Sequence, residues 1–318
     1  MPTTPWMGRK RIAFVPTYRP HAAPPDQIPP DWPNLIFRRL VFDPDAQGRD
    51  RSFRAWVRAA SSGRADVDPV VLDMETIDQQ VVDPDVWESK LGPGLRAQGI
   101  DAAAIVMLGG AGAGTNWGFW SRFVMAEDTG IWAMEMLHGL TGCWDFYPFG
   151  NDVDPAANAI GTFDEMSQAR LSHPTIYTKT EFGWADAATI AVQSGPTGGY
   201  DLQFAGLAQP PAAGRVAAVK IGDAVPYLMV EARGFVDPFD KAFDPATGQG
   251  IMNEGVIVYR VQTVDPTAHP RPGFKLPLFN ITIQPLKVGE SVVVDGVTIT
   301  VNGAIVGGRT VKIDNSGQ

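Results

Sequence analysis

Cysteine, histidine and long apolar runs are scarce in this sequence, and each scarcity excludes a class of protein. The single cysteine, Cys143, excludes an intramolecular disulfide. No apolar run approaches the roughly 20 residues that a membrane-spanning helix needs. There is also no Gly-x-Ser-x-Gly segment of the kind that carries the nucleophile of α/β-hydrolases. A metal site with several imidazole ligands is disfavoured, because the sequence has four histidines, which are His21, His138, His173 and His269.

The charge balance points away from nucleic acid. Asp and Glu number 35 against 26 Lys and Arg, which gives a net charge of -9 and a pI near 4.9. We therefore expect neither nucleic acid nor an anionic membrane surface as a partner. Hydrophobic residues make up 44% of the chain and charged residues 19%, which is typical of a protein that buries a core. The first residues carry basic side chains without an apolar signal core behind them, so the sequence leaves the compartment open.

Hydrophobic patterning predicts two differently built regions. Before residue 187, apolar strands alternate with amphipathic helices; the predicted strands are residues 11–16, 70–74 and 102–108, and the predicted helices are residues 52–60 and a segment from Pro84. The proline-rich residues 19–34 are predicted to be neither helix nor central strand. After residue 187 the runs are short and β-rich, and Asp295-Gly296 between two apolar runs predicts a hairpin. This spacing predicts a β-sandwich over residues 188–318.

The segment from Met134 to Tyr147, MEMLHGLTGCWDFY, nearly spells a zinc-peptidase helix. In the H-E-x-x-H motif two histidines one helical turn apart hold Zn²⁺, and the glutamate activates the metal-bound water. Glu135 and His138 occupy the positions of the glutamate and the second histidine, on a helix predicted at about residues 127–140. Met134 occupies the position of the first histidine, and a thioether is a soft ligand that suits Cu(I) better than Zn²⁺.

Downstream segments extend this near match. A Gly-Leu pair and Asp145 follow His138, then come Asp164-Glu165-Met166-Ser167, His173-Pro174 and the run from Lys179 to Trp184. That order resembles the secreted zinc metallopeptidases of the immune inhibitor A type, whose pattern is H-E-x-x-H-x-x-G-L-x-D-x-Y, then W-D-x-M-S, H-P and K-x-x-x-G-W. Segments similar to the family cover roughly residues 50 to 310.

The resemblance implies an α+β protein and a secreted one. A zincin-like domain, with a mixed twisted sheet and a central active-site-type helix, is expected over residues 1–187, and the β-sandwich is expected to follow. Met166 corresponds to the methionine of the turn below the metal in the family.

The resemblance also implies a site on the predicted helix. Glu135 and His138 correspond to catalytic residues, and His138 and Asp145 correspond to metal ligands. A third ligand would have to come from Glu135, Asp164, Glu165, His173 or Cys143. Since zinc needs three protein ligands, we expect the site to be incomplete, with no cofactor bound and peptidase activity lost.

Other residues suggest binding roles. The cleft would be lined by the aromatic and apolar side chains of Trp117, Trp120, Met134, Trp144 and Tyr147; burial of the aromatics as core is the alternative. The glycine-rich residues 109–115 follow a predicted strand, and we interpret them as a closely packed turn rather than a phosphate-binding loop. A turn-rich acidic loop could hold Ca²⁺ through the carboxylates of Asp237, Asp240 and Asp244.

Three functions remain open. The first is a non-proteolytic protein that binds a protein, peptide, glycan or small molecule in the ancestral cleft. The second is a metal-independent enzyme in which Glu135 and His138 act as general acid and base on a small molecule. The third is an active metallohydrolase with an unusual ligand set.

Overall fold

The computed structural model describes residues 3–21, 26, 28–77, 83–109, 114–147, 159–207, 210–262 and 278–315. These residues form a mixed α and β protein with several sheets and few helices, in agreement with the predicted α+β class. The chain divides into two compact units. The N-terminal unit is Trp6–Arg58 with Gly63–Gly142, and the C-terminal unit is Cys143–Gln318 with Met1–Pro5 and Ala59–Ser62. The domain boundary predicted near residue 187 differs from this division and stays a prediction.

The N-terminal unit is built on a mixed sheet with the strand order β2-β1-β4-β6-β5, and β3 pairs separately with β1. Its strands are β1 (Gly8–Tyr18), β2 (Ala65–Val71), β3 (Glu75–Thr76), β4 (Ala102–Met107), β5 (Thr115–Trp117) and β6 (Trp120–Val124). All pairs are parallel except β5 with β6. The central strand β4 is buried at every position, as the continuous apolar run of a parallel strand requires.

Helices pack on the faces of this sheet. They are α1 (Trp32–Leu40), α2 (Phe53–Ala60), α3 (Pro84–Lys90), α4 (Gly92–Ala97) and α5 (Thr129–Thr141). One core cluster joins Trp87 of α3 and Leu95 of α4 to alternate residues of β1, β4 and β6. Another face carries stacked aromatics, in which Trp132 of α5 lies 4.5 Å from Phe123 and 6.3 Å from Phe14 between ring centroids.

The C-terminal unit holds two further sheets, ordered β12-β11-β10-β9-β7 and β13-β14-β15-β8. Their strands are β7 (Ile190–Gln193), β8 (Thr197–Gln203), β9 (Ala218–Ile221), β10 (Tyr227–Arg233), β11 (Gly255–Val261), β12 (Leu278–Asn280), β13 (Ser291–Val294), β14 (Val297–Ile305) and β15 (Gly308–Asp314). Before them come α6 (Glu165–Gln168) and α7 (Ile176–Glu181). Apolar residues of both sheets meet in one buried cluster, for example Val230 and Val258 with Ile299 and Val311.

Most sequence predictions of single elements are confirmed, and two are partly wrong. The strand predicted at residues 70–74 overlaps β2 only at Val70 and Val71, because residues 72–74 belong to no strand. The predicted helix around Glu135 is α5, and the predicted hairpin is β13–β14 with Asp295 and Gly296 at its turn. The stretch 19–34 was expected to contain no helix, yet α1 begins at Trp32. Proline is tolerated there because Pro33 lies in the first helical turn, where its missing N–H removes no hydrogen bond. Within the described residues, no helix is long and apolar enough to cross a membrane.

Candidate functional site

The residues predicted to line one cleft belong to both units. The N-terminal unit holds Trp117, Trp120, Met134, Glu135 and His138. The C-terminal unit holds Trp144, Asp145 and Tyr147. In the N-terminal unit the candidate residues lie on α5 and its neighbouring strands, and a joint cleft stays a prediction.

Helix α5 carries the zinc-peptidase-like residues in the predicted spacing. Met134 and His138 are one turn apart and share a face. The Met134 side chain is buried at 4% exposure, Glu135 is buried at 8%, and His138 is half-buried. The helix ends where Gly142 adopts a left-handed φ of 71°, with its N–H donating to the His138 carbonyl oxygen. The position that would need an imidazole is thus occupied by a buried thioether.

Two glycines allow α5 to approach the β5–β6 hairpin closely. A Cβ atom on Gly139 would lie 2.6 Å from the carbonyl oxygen of Gly118, and one on Gly114 would lie 2.5 Å from Glu135 Oε1. The carboxyl group of Glu135 therefore rests against the backbone that leads into β5. Its own carbonyl oxygen accepts from Ser121 Oγ at 3.0 Å and from Asn116 Nδ2 at 3.2 Å. These contacts fix α5 against both strands of the hairpin.

The two tryptophans of the hairpin occupy different environments. Trp120 is 2% exposed in the core, its ring centre lies 6.4 Å from that of Trp87 with the planes tilted by 45°, and its indole N–H donates to Glu88 at 2.9 Å. This position matches the alternative of an aromatic buried as core. Trp117, on the edge strand β5, is half-buried, and the Arg122 guanidinium lies 5.7 Å from the centre of its ring. Trp117 is paired with Trp120 in the β5–β6 register and packs against the same core cluster, on the sheet face that α3 and α4 cover.

The family-like residues after α5 are packed inside the C-terminal unit. Asp145 is buried, while Trp144 and Tyr147 are half-buried. The carbonyl oxygen of the fully buried Met166 accepts from the N–H of Phe146 at 2.8 Å. Burial raises the pKa of the Cys143 thiol well above its ordinary value, so this cysteine is a protonated, packed side chain at neutral pH.

The acidic loop predicted to hold calcium has partners of its own. Asp237 Oδ2 lies 2.6 Å from His173 Nε2, and its Oδ1 accepts from two backbone N–H groups. Asp240 pairs with Arg233, and Asp244 accepts from the backbone and hydroxyl groups of its own turn. Among the described residues, no group of three or more His, Cys, Asp or Glu side chains is arranged to hold a metal ion. The calcium and zinc expectations both stay predictions.

A buried network around Arg233 was not predicted from the sequence. The guanidinium group is fully buried and donates to Asp240 Oδ1 at 2.8 Å, to the Phe163 carbonyl at 2.7 Å and to the His173 carbonyl at 2.8 Å. Glu231 Oε1 lies 3.4 Å away, and Glu231 Oε2 accepts from the Tyr259 hydroxyl at 2.9 Å. The available signal was Glu231 and Arg233 themselves, two opposite charges two residues apart in the otherwise apolar strand β10.

Burial shifts the pKa of several groups in this network, and neighbouring groups outweigh it at others. It raises the pKa of Asp164, although Thr178, Thr175 and the Met166 N–H all donate to that carboxylate. It lowers the pKa of Lys179 to about 8. Burial alone would raise the pKa of Asp237, but the charge and hydrogen bond of His173 bring it down to about 2. The network joins the segment before α7 to β10 and to the acidic loop, so it holds together three segments of the family-like pattern.

No family model and no curated protein matches the chain. The resemblance to immune inhibitor A type metallopeptidases therefore rests on the segments quoted above.

Proposed function

We propose that this chain is a zincin-like protein that has lost zinc-dependent proteolysis and now binds a ligand beside α5. The observation that carries the proposal is the buried Met134 side chain at the position of the first histidine, four residues before His138. A neutral thioether does not replace an imidazole as a zinc ligand. Without the metal, nothing on this helix lowers the pKa of an attacking water to near neutrality.

The architecture of each unit supports the fold part of this proposal. The N-terminal unit has a mixed sheet, with its antiparallel edge strand β5 next to the motif-bearing helix. In the C-terminal unit, two antiparallel-rich sheets bury a common apolar cluster, as the two layers of a β-sandwich do.

The purified protein is expected to hold no stoichiometric zinc at α5 and to leave casein uncleaved. Replacing Met134→His should raise zinc uptake toward about one ion per chain, because it restores the pair of imidazoles at i and i+4. Elemental analysis after dialysis measures the bound zinc. Met134→Leu is the matched control, since it keeps an apolar side chain and supplies no ligand. Stoichiometric zinc in the wild type that disappears in His138→Ala would contradict the proposal.

The surface open to a ligand beside α5 is the edge strand β5. Among the described strands, β5 pairs with β6 and with no second neighbour. The edge of a sheet presents backbone donors and acceptors that an extended peptide can use by adding a strand. Trp117 lies on this strand half-buried, on the sheet face away from α5, as an aromatic anchor at that edge. An extended peptide is therefore the ligand class that this surface fits best.

Peptides selected from a random library displayed on phage should bind the wild type and lose affinity when Trp117 is replaced by alanine. We expect a loss of about tenfold or more, the usual consequence of truncating an aromatic anchor. Val71→Ala is the matched control, because Val71 lies on β2, which ends the opposite edge of the same sheet, and is 44% exposed. Fluorescence anisotropy with synthetic peptides measures both affinities. Equal loss in the two variants, or no enrichment of peptides at all, would count against binding at β5.

A further inference from the structure

A separate cavity lies in the N-terminal unit, at the carboxyl ends of the parallel strands β4 and β6. Its volume is about 360 Å³, and its described lining includes Leu108 and Gly109 after β4, Val124 and Met125 at the end of β6, and Leu35 and Arg39 of α1. The chain runs from β1 to β2 on one side and returns to β4 on the other side of β1, so the strand order reverses between β1 and β4, next to the cavity. Such a reversal of strand order leaves a crevice at the carboxyl edge, where open α/β sheets bind ligands. The cavity has the size of a small-molecule site.

Arg39 is the one charged side chain among the described lining residues. It belongs to the last turn of α1 and is half-buried, and its guanidinium lies 5.4 Å from the centre of the Trp132 ring. This guanidinium makes no hydrogen bond or ion pair with the described residues. A planar cation with five donors is thus oriented by an aromatic ring while its donors remain available to a ligand.

The surroundings of Arg39 set the charge that a ligand can carry. Burial lowers the pKa of Arg39, and this outweighs the opposing fields of Asp128, Asp43 and Glu127. Asp43 already pairs with Arg38, and Glu127 accepts from the Val124 N–H at 2.7 Å. Among the described residues, the guanidinium therefore has no carboxylate at ion-pair distance, yet the nearby carboxylates would repel a doubly charged phosphate more strongly than a singly charged group.

We propose that this cavity binds a small monocarboxylate with an apolar body. The carboxylate pairs with the fork of Arg39, a geometry in which both oxygens accept parallel N–H bonds. The apolar body packs against Leu35, Leu108, Val124 and Met125. This site is distinct from the β5 edge and does not depend on the function proposed there.

Octanoate, octyl phosphate and octanol test the class, because they share one apolar body and differ in head group. Isothermal titration of the full chain should show octanoate binding about tenfold or more tightly than either of the other two. In Arg39→Met, octanoate affinity should fall by a similar factor, since the substitution keeps an apolar stem and removes the fork. Arg58→Met is the matched control, because Arg58 lies on α2, is 51% exposed and pairs with Asp66 rather than with a carboxylate near Arg39, and it should bind octanoate as the wild type does.

A second variant keeps the test decisive if Arg39→Met does not fold. Leu35→Trp fills the cavity from α1 and leaves Arg39 in place, so it should abolish octanoate binding while the circular dichroism spectrum stays native. The proposal is overturned if the wild type does not bind octanoate at millimolar concentration, if octanol or octyl phosphate binds as well as octanoate, or if Leu35→Trp binds octanoate unchanged.

Discussion

Replacing Arg233 by methionine is expected to lower the free energy of unfolding by about 3 to 5 kcal/mol, the usual cost of breaking a buried ion pair on one side. The guanidinium is fully buried and holds the Asp240 carboxylate through contacts of 2.8 and 3.1 Å. It also satisfies the carbonyl oxygens of Phe163 and His173. Methionine would fill much of the volume but would leave a buried charge and two carbonyl groups without this donor. Urea denaturation followed by circular dichroism measures the loss.

The matched control for Arg233 is an arginine whose ion pair faces solvent. Arg260 Nη2 contacts Asp295 at 2.7 Å, and the Asp295 side chain is 57% exposed, so Arg260→Met should cost no more than about 1 kcal/mol. Combining Arg233→Met with Asp240→Leu should recover part of the loss, because the orphaned carboxylate is removed with its partner. A loss below about 1 kcal/mol in Arg233→Met would mean that the network contributes little to stability.

The sequence predicted best those elements whose signal is local. In the β13–β14 hairpin, Asp295 and Gly296 have φ values of 51° and 78°, the left-handed pair that an Asp-Gly turn provides. Helix α5 was predicted from the near match of Met134, Glu135 and His138 to a short motif that zinc peptidases carry on a helix. Strand β8 was missed because its segment TGGYDLQ has two glycines and little apolar alternation. Its pairing with β15, about a hundred residues later in the chain, has no local signature.

In the candidate sites, too, the sequence predicted what depends on local signals and missed what depends on tertiary packing. Residue types on α5 could be predicted, but the close approach of Gly114 and Gly139 to their neighbours depends on tertiary packing. Arg39 has no distinguishing context in the sequence, and only the fold brings it to the carboxyl ends of β4 and β6. Asp237 and Asp240 suggested a cation site because acidic loops attract calcium. The structure gives Asp237 the imidazole of His173, 64 residues away in sequence, and gives Asp240 the guanidinium of Arg233.

Lys179 is expected to make stability rise with pH above 8. The amino group is fully buried, donates to the Ala205 carbonyl at 2.6 Å and lies 3.4 Å from His173 Nδ1. Burial lowers its pKa to about 8 from the ordinary 10.5, with Arg233 acting in the same direction and Asp240, Asp237 and Glu231 opposing. Between these two values the unfolded chain binds the proton more strongly than the folded chain, so deprotonation favours folding as pH rises. Each unit of pKa difference is worth about 1.4 kcal/mol, which makes the full change about 3 kcal/mol.

The measurement must separate the contribution of Lys179 from groups that make the free energy of unfolding fall as pH rises. Burial raises the pKa of Cys143, of Tyr227 to about 12, and of Tyr259. Once the pH exceeds the pKa that such a group has in the unfolded chain, its deprotonation there favours unfolding, and the stability of the protein falls. The decisive quantity is therefore the free energy of unfolding of the wild type minus that of Lys179→Met, determined by urea titration from pH 7 to 10.5. The Ala205 hydrogen bond lost in the variant lowers stability at every pH and cancels from the slope. We expect the difference to increase by about 3 kcal/mol over this range. The same difference taken with Lys312→Met, a 54% exposed lysine on β15, should change little. A flat difference for Lys179 would mean that its amino group keeps its proton in the folded protein up to the pH at which it loses that proton in the unfolded chain.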